Sequence, residues 1–428
     1  MVKKIERRDF LKLVGATSLA ATFSAPAFVR AQNANSKLNV ACIGIANRGS
    51  ANVDGVKGEN IVAFCDIDEN YLNQGKEQFP KAKLFRDYRK MYDEIAKEID
   101  AVVVSTPDHT HAAPSIMGMK LGKHCYCEKP LAHNVKEIRN MQAIAAEKKL
   151  ATQMGTQIHA EDNYRRVVEL VQAGAIGTVK EIHVWCGTRW GGRPFATDTP
   201  DVPANIDWDL WLGPAPVKPY HPQYFGGSWR CFWAFGNGTL GDMACHHMDL
   251  SYWALGLKYP KTIEAFCATK PTQEVAPVEL RVEYTFANPA VTLNWYDGGR
   301  LPPILKEKGL PEDWGAGTLF VGEKGFLLAD YGRRMLFPQE RFADYKAPEP
   351  TIPDSVGHHQ EWINACKTGS PTTCNFAYSG VLAEAVLLGA VAFRTGKKLE
   401  WDAAKMKAVN CPEADQYLSR TYRKGWEV

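Results

Sequence analysis

A short apolar run that ends in a glycine-rich turn constrains the fold more than any other feature of the chain. Residues 38–43 read Leu-Asn-Val-Ala-Cys-Ile, and residues 44–49 read Gly-Ile-Ala-Asn-Arg-Gly. This turn follows the G-x-G-x-x-G pattern of dinucleotide-binding βαβ units, with Ala46 in place of the middle glycine. The middle glycine normally lets the backbone approach a pyrophosphate, and the last one lets helix and strand pack closely. The turn therefore predicts a strand, a phosphate-binding loop and a helix.

The residues that follow repeat this alternation. A second apolar run, 61–65, ends at Asp66, which lies 22 residues beyond Gly44, where such a unit places its ribose-binding carboxylate. An acid there favours NAD over NADP, because it would repel a 2′-phosphate. A third run, 101–105, leads into 106–111, and a fourth, 124–127, leads into Glu128-Lys129-Pro130. We predict a parallel Rossmann domain over residues 36–155, with ligands bound at the carboxyl ends of its strands.

Residues 1–31 have the composition of an export signal. They contain six basic and two acidic residues, so the remaining chain carries a net charge of about −1 out of a total of +3. This balance gives no indication of nucleic-acid binding. Arg7-Arg8 followed by a short apolar stretch and Val29-Arg30-Ala31 predicts a twin-arginine signal peptide and a periplasmic or otherwise exported protein. The alternatives are a disordered basic terminus or an uncleaved anchor. No later stretch is predicted to span a membrane.

Cysteine usage gives no indication of a metal site. The eleven cysteines follow no framework pattern, and Cys125-Tyr126-Cys127 lacks the Cys-x-x-Cys spacing of zinc ligands. Cys245-His246-His247 has no second cluster of ligands to complete it. We predict no metal.

The second half, residues 156–428, is predicted to form an α+β domain. Strand-like runs occur at 180–187, 278–286 and 290–295, a hairpin at 317–328 and a periodic helix at 377–394. Six of the twelve tryptophans fall between 185 and 233, interleaved with prolines and glycines, which indicates long loops pinned by aromatic rings. Trp229, Arg230 and Trp233 are the candidates for a sugar-binding wall. The alternative, favoured for any single tryptophan, is that it holds a loop in place.

Asp242 and His246 are the candidate proton-handling pair. They are four residues apart in 236–250, and on a helix they would share one face. A carboxylate can orient an imidazole and stabilise its charged form. Taken alone, such a pair is more often a surface feature.

Taken together, these motifs resemble the glucose–fructose oxidoreductase, inositol dehydrogenase and rhizopine-catabolism (Gfo/Idh/MocA) family. The matching pieces are 44–49, Asp66, 105–107 with His111, 128–130 and 238–249, in the family's order and spacing. The resemblance implies an open, mostly antiparallel sheet in the second domain and a homodimer or homotetramer. It also implies catalysis by Lys129, Asp242 and His246, with Asp242 also binding substrate. The cofactor-binding set is Gly44, Ala46, Asn47, Arg48, Gly49, Asp66, Ser105, Thr106, Pro107, His111, Glu128 and Lys129.

The sequence therefore predicts an exported, NAD-dependent oxidoreductase that acts on a sugar, glycoside or polyol. His246 would take the hydroxyl proton, Asp242 would orient the ring or bind a neighbouring hydroxyl, and Lys129 would stabilise the alkoxide. Free NAD is scarce outside the cytoplasm, so we expect a tightly bound, recycled cofactor. One alternative is an NAD-dependent glycoside hydrolase that uses transient oxidation and elimination. Another, a non-catalytic sugar-binding protein, would require the loss of Lys129 or His246, and both are present.

Overall fold

A computed structural model describes residues 36–194 and 196–428; the predicted signal peptide lies outside the described residues. The first part of the chain alternates strands and helices. Its strands are β1 (Asn39–Ile43), β2 (Asn60–Cys65), β3 (Lys83–Phe85), β4 (Ala101–Val104), β5 (His124–Glu128) and β6 (Thr152–Gly155). Its helices are α1 (Arg48–Val56), α2 (Glu69–Gln78), α3 (Tyr88–Ile95), α4 (Ala112–Lys120) and α5 (Val135–Lys148).

These six strands form one parallel sheet in the order β3-β2-β1-β4-β5-β6. The order reverses between β1 and β4, which opens a crevice at the carboxyl ends of the strands. All four residues of β4 are buried, as expected for a central strand covered on both faces. The Rossmann prediction is confirmed, and the crevice places the glycine turn beside the residues that follow β4 and β5.

The rest of the chain builds a second sheet with flanking helices. Its strands are β7 (Val179–Cys186), β8 (Thr262–Phe266), β9 (Arg281–Ala287), β10 (Ala290–Tyr296), β11 (Ala316–Gly322), β12 (Gly325–Ala329), β13 (Arg334–Phe337), β14 (Leu399–Asp402) and β15 (Lys407–Ala408). Its helices are α6 (Asp162–Gln172), α7 (Trp208–Leu212), α8 (Gly238–His247), α9 (Asp249–Leu255), α10 (Pro303–Glu307), α11 (His358–Thr368), α12 (Phe376–Thr395) and α13 (Asp415–Leu418).

The nine strands lie in the order β13-β12-β11-β7-β10-β9-β8-β14-β15. Only β7 and β10 pair in parallel, and the other neighbouring strands are antiparallel. In β9 every second side chain is buried, which is the pattern of a sheet with one covered face. The prediction of a large, mostly antiparallel sheet is confirmed.

Helices α12 and α11 both contribute buried side chains to the core. Among the described residues, α12 alone is long and apolar enough to cross a membrane, but 89% of its most apolar window is buried inside the protein. Helix α11 packs against the nucleotide-binding sheet, where Trp362 and Ile363 join the same apolar cluster as Val40 and Phe64. A short segment from late in the chain therefore completes the core of the first domain.

Candidate active site

The glycine turn depends on two positions that accept no side chain. Gly44 has φ +76°, and a Cβ there would lie 2.9 Å from the backbone of Ser105. A Cβ on Gly49 would lie 2.1 Å from the carbonyl oxygen of Gly44. The middle position accepts a side chain, since Ala46 occupies it. The next residue, Asn47, adopts a positive backbone φ of 52°. The first and last glycines of the motif are therefore required by the local geometry, and the middle one is not.

The turn delivers the amino terminus of α1 into the crevice. Asn47 makes no side-chain capping bond and the first turn of α1 holds no acidic residue, so the terminus can receive an anion. Arg48, the first helical residue, has 47% of its side chain exposed. The narrow glycine cradle and this basic helix terminus fit the pyrophosphate of a dinucleotide.

Asp66 follows β2 and holds the turn from the other side. One carboxylate oxygen accepts a hydrogen bond from the backbone N–H of Ile45 at 2.9 Å, and the other accepts from Asp68 N–H at 3.1 Å. Burial raises the pKa of Asp66 to about 6, against the opposing effect of these backbone bonds. The carboxylate lies at the end of the strand where a Rossmann domain binds ribose. Its role toward the cofactor stays a prediction.

Glu128 is a buried support for this crevice rather than a surface charge. Its Oε1 atom accepts from Arg48 Nε at 3.3 Å, from Asn52 Nδ2 at 2.9 Å and from Gln157 Nε2 at 2.9 Å. Asn52 also donates to Ser105 Oγ at 2.8 Å. The carboxylate thus joins α1, the end of β4 and the segment after β6.

A hydrogen bond within the loop after β4 holds that loop in place. Thr106 and Pro107 begin it, and His111 Nε2 lies 2.7 Å from the carbonyl oxygen of Thr106. His111 is buried, and that burial lowers its pKa to about 3, so the ring is neutral. The structure places His111 as a support of the loop at the edge of the crevice.

Lys129 and Asp242 form the centre of the site. Lys129 Nζ donates to Asp242 Oδ1 at 2.5 Å and to the carbonyl oxygen of Asp242 at 2.7 Å. Asp242 Oδ1 also accepts from Arg230 Nε, and Oδ2 accepts from the indole N–H of Trp190, both at 2.7 Å. Both side chains of the central pair are about one-tenth exposed. The end of β5 and helix α8 therefore meet at a shielded carboxylate held by three donors.

Electrostatics keep this carboxylate ionised. Burial disfavours the charged form of Asp242, but the charges of Lys129 and Arg230, with their hydrogen bonds, hold its pKa well below the usual range. A permanently ionised Asp242 fixes the Lys129 ammonium in place. Lys129 uses two of its three N–H bonds on Asp242, which leaves one for a substrate oxygen.

Arg230 is held between two indoles. Its guanidinium carbon lies 4.2 Å from the ring centroid of Trp229 and 5.5 Å from that of Trp190. Cation–π contacts of this kind restrain the planar group. Trp229 and Arg230 of the predicted wall therefore lie together beside Asp242. Trp190, for which the sequence pattern predicts no role in the site, lies with them. Their contact with a sugar stays a prediction.

Trp233 does not belong to this wall. Its indole N–H donates to the carbonyl oxygen of Thr272 at 3.1 Å, and its ring packs against Phe393 of α12. It is only 4% exposed. The prediction for this residue is wrong, because the turn after Arg230 directs its side chain into the core, where the alternative of a loop-holding tryptophan applies.

His246 lies on the same helix as Asp242 but is not its partner. The hydrogen bonds found at Asp242 come from Lys129, Arg230 and Trp190, so the predicted orientation of the ring by Asp242 is not seen. The ring Nδ1 of His246 is buried and has no hydrogen-bond partner among the described residues. Burial, then the neighbouring charges of Lys129 and His247, lower its pKa well below the usual range. His246 is therefore a neutral imidazole here.

Two further residues of the cluster are absent from the sequence-based prediction. Asp108 is 3% exposed, and burial raises its pKa to about 7 beside Lys129, Arg230 and Asp242. The sequence does carry a signal for it, since it follows Thr106-Pro107 at the carboxyl end of a buried strand. Trp190 has no comparable signal, because an indole four residues beyond β7 is indistinguishable in sequence from one that holds a loop.

Cys245 and His247, which flank His246, face other surroundings. Cys245 is fully buried, and burial raises its thiol pKa. His247 stacks on Tyr331 with ring centroids 4.8 Å apart. No group of three potential metal ligands lies together in the part of the chain that the structure describes. The absence of a metal stays a prediction.

Comparison with known proteins identifies the family. Residues 16–156 match the family model described as "Oxidoreductase family, NAD-binding Rossmann fold", and residues 160–428 match "Oxidoreductase family, C-terminal alpha/beta domain". The second match alone covers more than half of the chain. The protein therefore belongs to the Gfo/Idh/MocA family of oxidoreductases, and its first domain is an NAD-binding Rossmann domain.

Curated relatives resemble the chain over part of its length. An inositol 2-dehydrogenase of Saccharopolyspora erythraea is 38% identical over 135 residues, which cover 30% of this chain and 37% of that protein. A glycosyl hydrolase family 109 protein of Shewanella pealeana is 29% identical over 205 residues, covering 41% and 44%. The matches thus span less than half of these relatives.

Solved structures share the fold over nearly their whole length. The WlbA dehydrogenase of Bordetella pertussis, in complex with NADH and UDP-GlcNAcA, has a TM-score of 0.60 at 18% identity and covers 86% of this chain and 99% of its own. GenD2 from gentamicin A biosynthesis, in complex with NAD, has a TM-score of 0.59 at 18% identity, covering 88% and 99%. At this identity the likeness establishes the fold alone.

Proposed function

We propose that the protein is an exported oxidoreductase that transfers hydride between a hydroxyl-bearing carbon of a sugar, glycoside or polyol and a tightly bound NAD. The observation that carries this proposal is the Lys129–Asp242 pair. It sits at the carboxyl end of β5, where a Rossmann domain presents the reactive end of its ligand. Inositol dehydrogenases among the relatives support a polyol-like substrate.

The chain's own residues divide the work. Gly44, Gly49 and the start of α1 would hold the cofactor pyrophosphate, and Asp66 its ribose. When bound, the cofactor supplies the hydride chemistry. Asp242 fixes Lys129, whose free N–H donates to the reacting oxygen and stabilises negative charge there.

His246 and the aromatic wall complete the substrate site. His246, as a neutral imidazole, would accept a hydrogen bond from the reacting hydroxyl and orient it. Arg230 and Trp229 would contact the rest of the substrate, because indole faces pack on sugar C–H groups and guanidinium groups bind hydroxyl oxygens. Asp66 favours NAD over NADP by repelling a 2′-phosphate.

The test begins with the mature protein purified from its export compartment. Denaturation should release nicotinamide cofactor, and the native protein should oxidise members of a panel of polyols, sugars and glycosides to ketones identified by mass spectrometry. Protein without cofactor that also fails to bind added NADH would contradict the proposal. The export route is tested separately by replacing Arg7-Arg8 with Lys-Lys, which should retain the protein in the cytoplasm.

A second candidate is an NAD-dependent glycoside hydrolase, which the glycosyl hydrolase family 109 relative favours. Oxidation of one hydroxyl would acidify the neighbouring C–H, and loss of that proton with elimination would release the aglycone. Water would then add to the resulting unsaturated ketone, and returned hydride would reduce the ketone to the alcohol and restore NAD⁺. Release of the aglycone from an aryl glycoside with no net NADH would favour this candidate. Accumulation of a ketone product would favour the oxidoreductase. Homodimers or homotetramers, which the family resemblance implies, are tested by light scattering.

A further inference from the structure

Helix α11 places a histidine against the helix that begins at the glycine turn. His359 Nε2 lies 3.0 Å from Asn52 Oδ1 on α1, although 307 residues separate the two in sequence. The imidazole also stacks on Tyr126 of β5, with ring centroids 5.0 Å apart and an angle of 18° between the planes. Gly55 permits this approach, because a Cβ there would lie 2.5 Å from His359 Cγ. A side chain from late in the chain therefore contacts two elements of the nucleotide-binding domain.

Asn52 is fully buried, and both ends of its amide are hydrogen-bonded. The amide nitrogen donates to Ser105 Oγ at 2.8 Å and to Glu128 Oε1 at 2.9 Å. A carboxylate oxygen accepts hydrogen bonds, so the nitrogen rather than the oxygen of the amide faces Glu128. The amide oxygen is therefore directed at His359, which must carry a proton on Nε2 to donate to it.

The ionisation of His359 agrees with this assignment. Burial, followed by the nearby charge of Arg48, lowers its pKa to about 4, so the ring is neutral and one of its two nitrogens carries a proton. The contact with Asn52 Oδ1 selects Nε2 as that nitrogen. His359 thus donates one hydrogen bond that determines which way the Asn52 amide points.

Ser105 connects this amide to the glycine turn. A Cβ on Gly44 would lie 2.9 Å from the backbone of Ser105, and a Cβ on Gly49 would lie 3.4 Å from Ser105 Cβ. Ser105 therefore lies against the cradle that fits the pyrophosphate. Because Ser105 Oγ accepts from Asn52, its own O–H proton points away from Asn52 and is free to donate to a ligand.

We propose that His359 is a positioning residue that slows the release of NAD. Its N–H holds the Asn52 amide in the orientation that turns the Ser105 hydroxyl into a donor for a phosphate oxygen of the cofactor. The same orientation keeps an amide N–H on Glu128, which joins α1 to the end of β5. His359 acts through Asn52 and not by touching the nucleotide. This role rests on the proposed function, of which a tightly held cofactor is a part.

The first experiment measures the rate at which NADH leaves the protein. His359→Phe keeps an aromatic ring against Tyr126 but removes the N–H, so the buried Asn52 oxygen loses its donor. After NADH-loaded protein is mixed with excess NAD⁺, the loss of NADH fluorescence should be about tenfold faster than in wild type. His359→Gln supplies an amide N–H and should release NADH at close to the wild-type rate. Release from His359→Phe at the wild-type rate, or equal release from the two variants, would overturn the proposal.

Lys367→Met is the control for a merely structural role of α11. Lys367 Nζ lies 2.7 Å from Glu59 Oε1, so this pair ties the other end of the same helix to the nucleotide-binding domain. Its loss should lower Tm and leave the dissociation rate of NADH unchanged. If Lys367→Met accelerated release as much as His359→Phe, the docking of α11 as a whole would explain retention, and the proposal would be overturned.

Gly55→Ala disturbs the same hydrogen bond while leaving His359 intact. The new methyl group would displace the imidazole from α1, so NADH should again leave faster. Alanine favours a helix more than glycine does, so a weaker α1 would not explain this result. The double variant with His359→Phe should release NADH no faster than His359→Phe alone. Additive effects in the double variant would overturn the proposal.

The wild-type protein separates this inference from the proposed function. Wild type that binds no NADH would contradict the proposed function. Slow release from wild type together with equally slow release from His359→Phe would leave the proposed function standing and overturn the role of His359.

Discussion

The glycine turn on the nucleotide side and the Lys129 cluster on the substrate side are assembled in different ways. The turn is a run of six residues, and its critical property is the absence of side chains at Gly44 and Gly49. The cluster joins Lys129 to Asp242 across 113 residues and Trp190 to Asp242 across 52. One region works through backbone shape and the other through charge. Substitutions in the first should therefore alter cofactor binding, and substitutions in the second should alter turnover.

The largest effect is expected for Lys129→Met. It removes the donor at the reacting oxygen but keeps the apolar stem, so turnover should fall by about 10³-fold. Cofactor affinity, measured by NADH fluorescence, should stay close to wild type. Lys367→Met is the matched control, because it breaks the buried Lys367–Glu59 pair, 2.7 Å apart, on the nucleotide-binding domain. Equal losses of turnover in both variants would contradict the expectation that turnover depends specifically on the Lys129 cluster.

Asp242→Asn should be the next most damaging change. The amide replaces one acceptor oxygen with an N–H donor. That donor then faces another donor, either the Trp190 indole N–H or the charged groups of Lys129 and Arg230. Turnover should fall by about 10²-fold, and urea unfolding should show a loss of about 1–3 kcal/mol from the unsatisfied donors. Unchanged turnover would mean that the charge of Asp242 does not hold Lys129.

Gly49→Ala tests the other side of the comparison. The new Cβ must move away from the Gly44 carbonyl, a strain of about 1–3 kcal/mol. NADH binding should weaken by about ten- to a hundredfold, while turnover at saturating cofactor stays near wild type. Gly58→Ala is the control, because a Cβ at this position would have no other atom within 4 Å, and this variant should bind NADH normally. A fall in turnover without a change in NADH affinity would contradict the expectation that the glycine turn acts through cofactor binding.

The smallest effect is expected for Trp190→Phe. The ring remains, but Asp242 loses a charge-assisted hydrogen bond, so turnover should fall by about tenfold. Trp208→Phe removes an indole bond to the carbonyl oxygen of Lys218 outside the cluster and should leave turnover intact. Similar rates for the two variants would remove Trp190 from the site.

The difference between the local glycine turn and the long-range Lys129 cluster also explains how much of the structure could be predicted from the sequence. The Rossmann sheet, the glycine turn and the position of Asp66 could be predicted, because each depends on neighbouring residues and a strand period. Lys129 and Asp242 could be identified by family resemblance, but their pairing with each other depends on two segments 113 residues apart. The sequence points to Trp233 as part of the wall and not to Trp190, because side-chain direction in a loop rich in proline and glycine has no period to read.

The shifted pKa values in the site and the partners of Asp242 also could not be predicted from the sequence. A histidine four residues after an aspartate suggests a pair, but the Asp242 oxygens bind Lys129, Arg230 and Trp190. The shifts at His246 and Asp108 come from burial, which only the packed structure defines.

Isotope transfer tests the central claim most directly. A substrate found in the panel, deuterated at the carbon that is oxidised, is incubated with the purified protein for a single turnover, and the nicotinamide is then analysed by mass spectrometry. The account predicts one deuterium on the cofactor in wild type, and labelling about 10³-fold slower in Lys129→Met. Product formation without deuterium on the cofactor, or equally fast transfer in Lys129→Met, would contradict it.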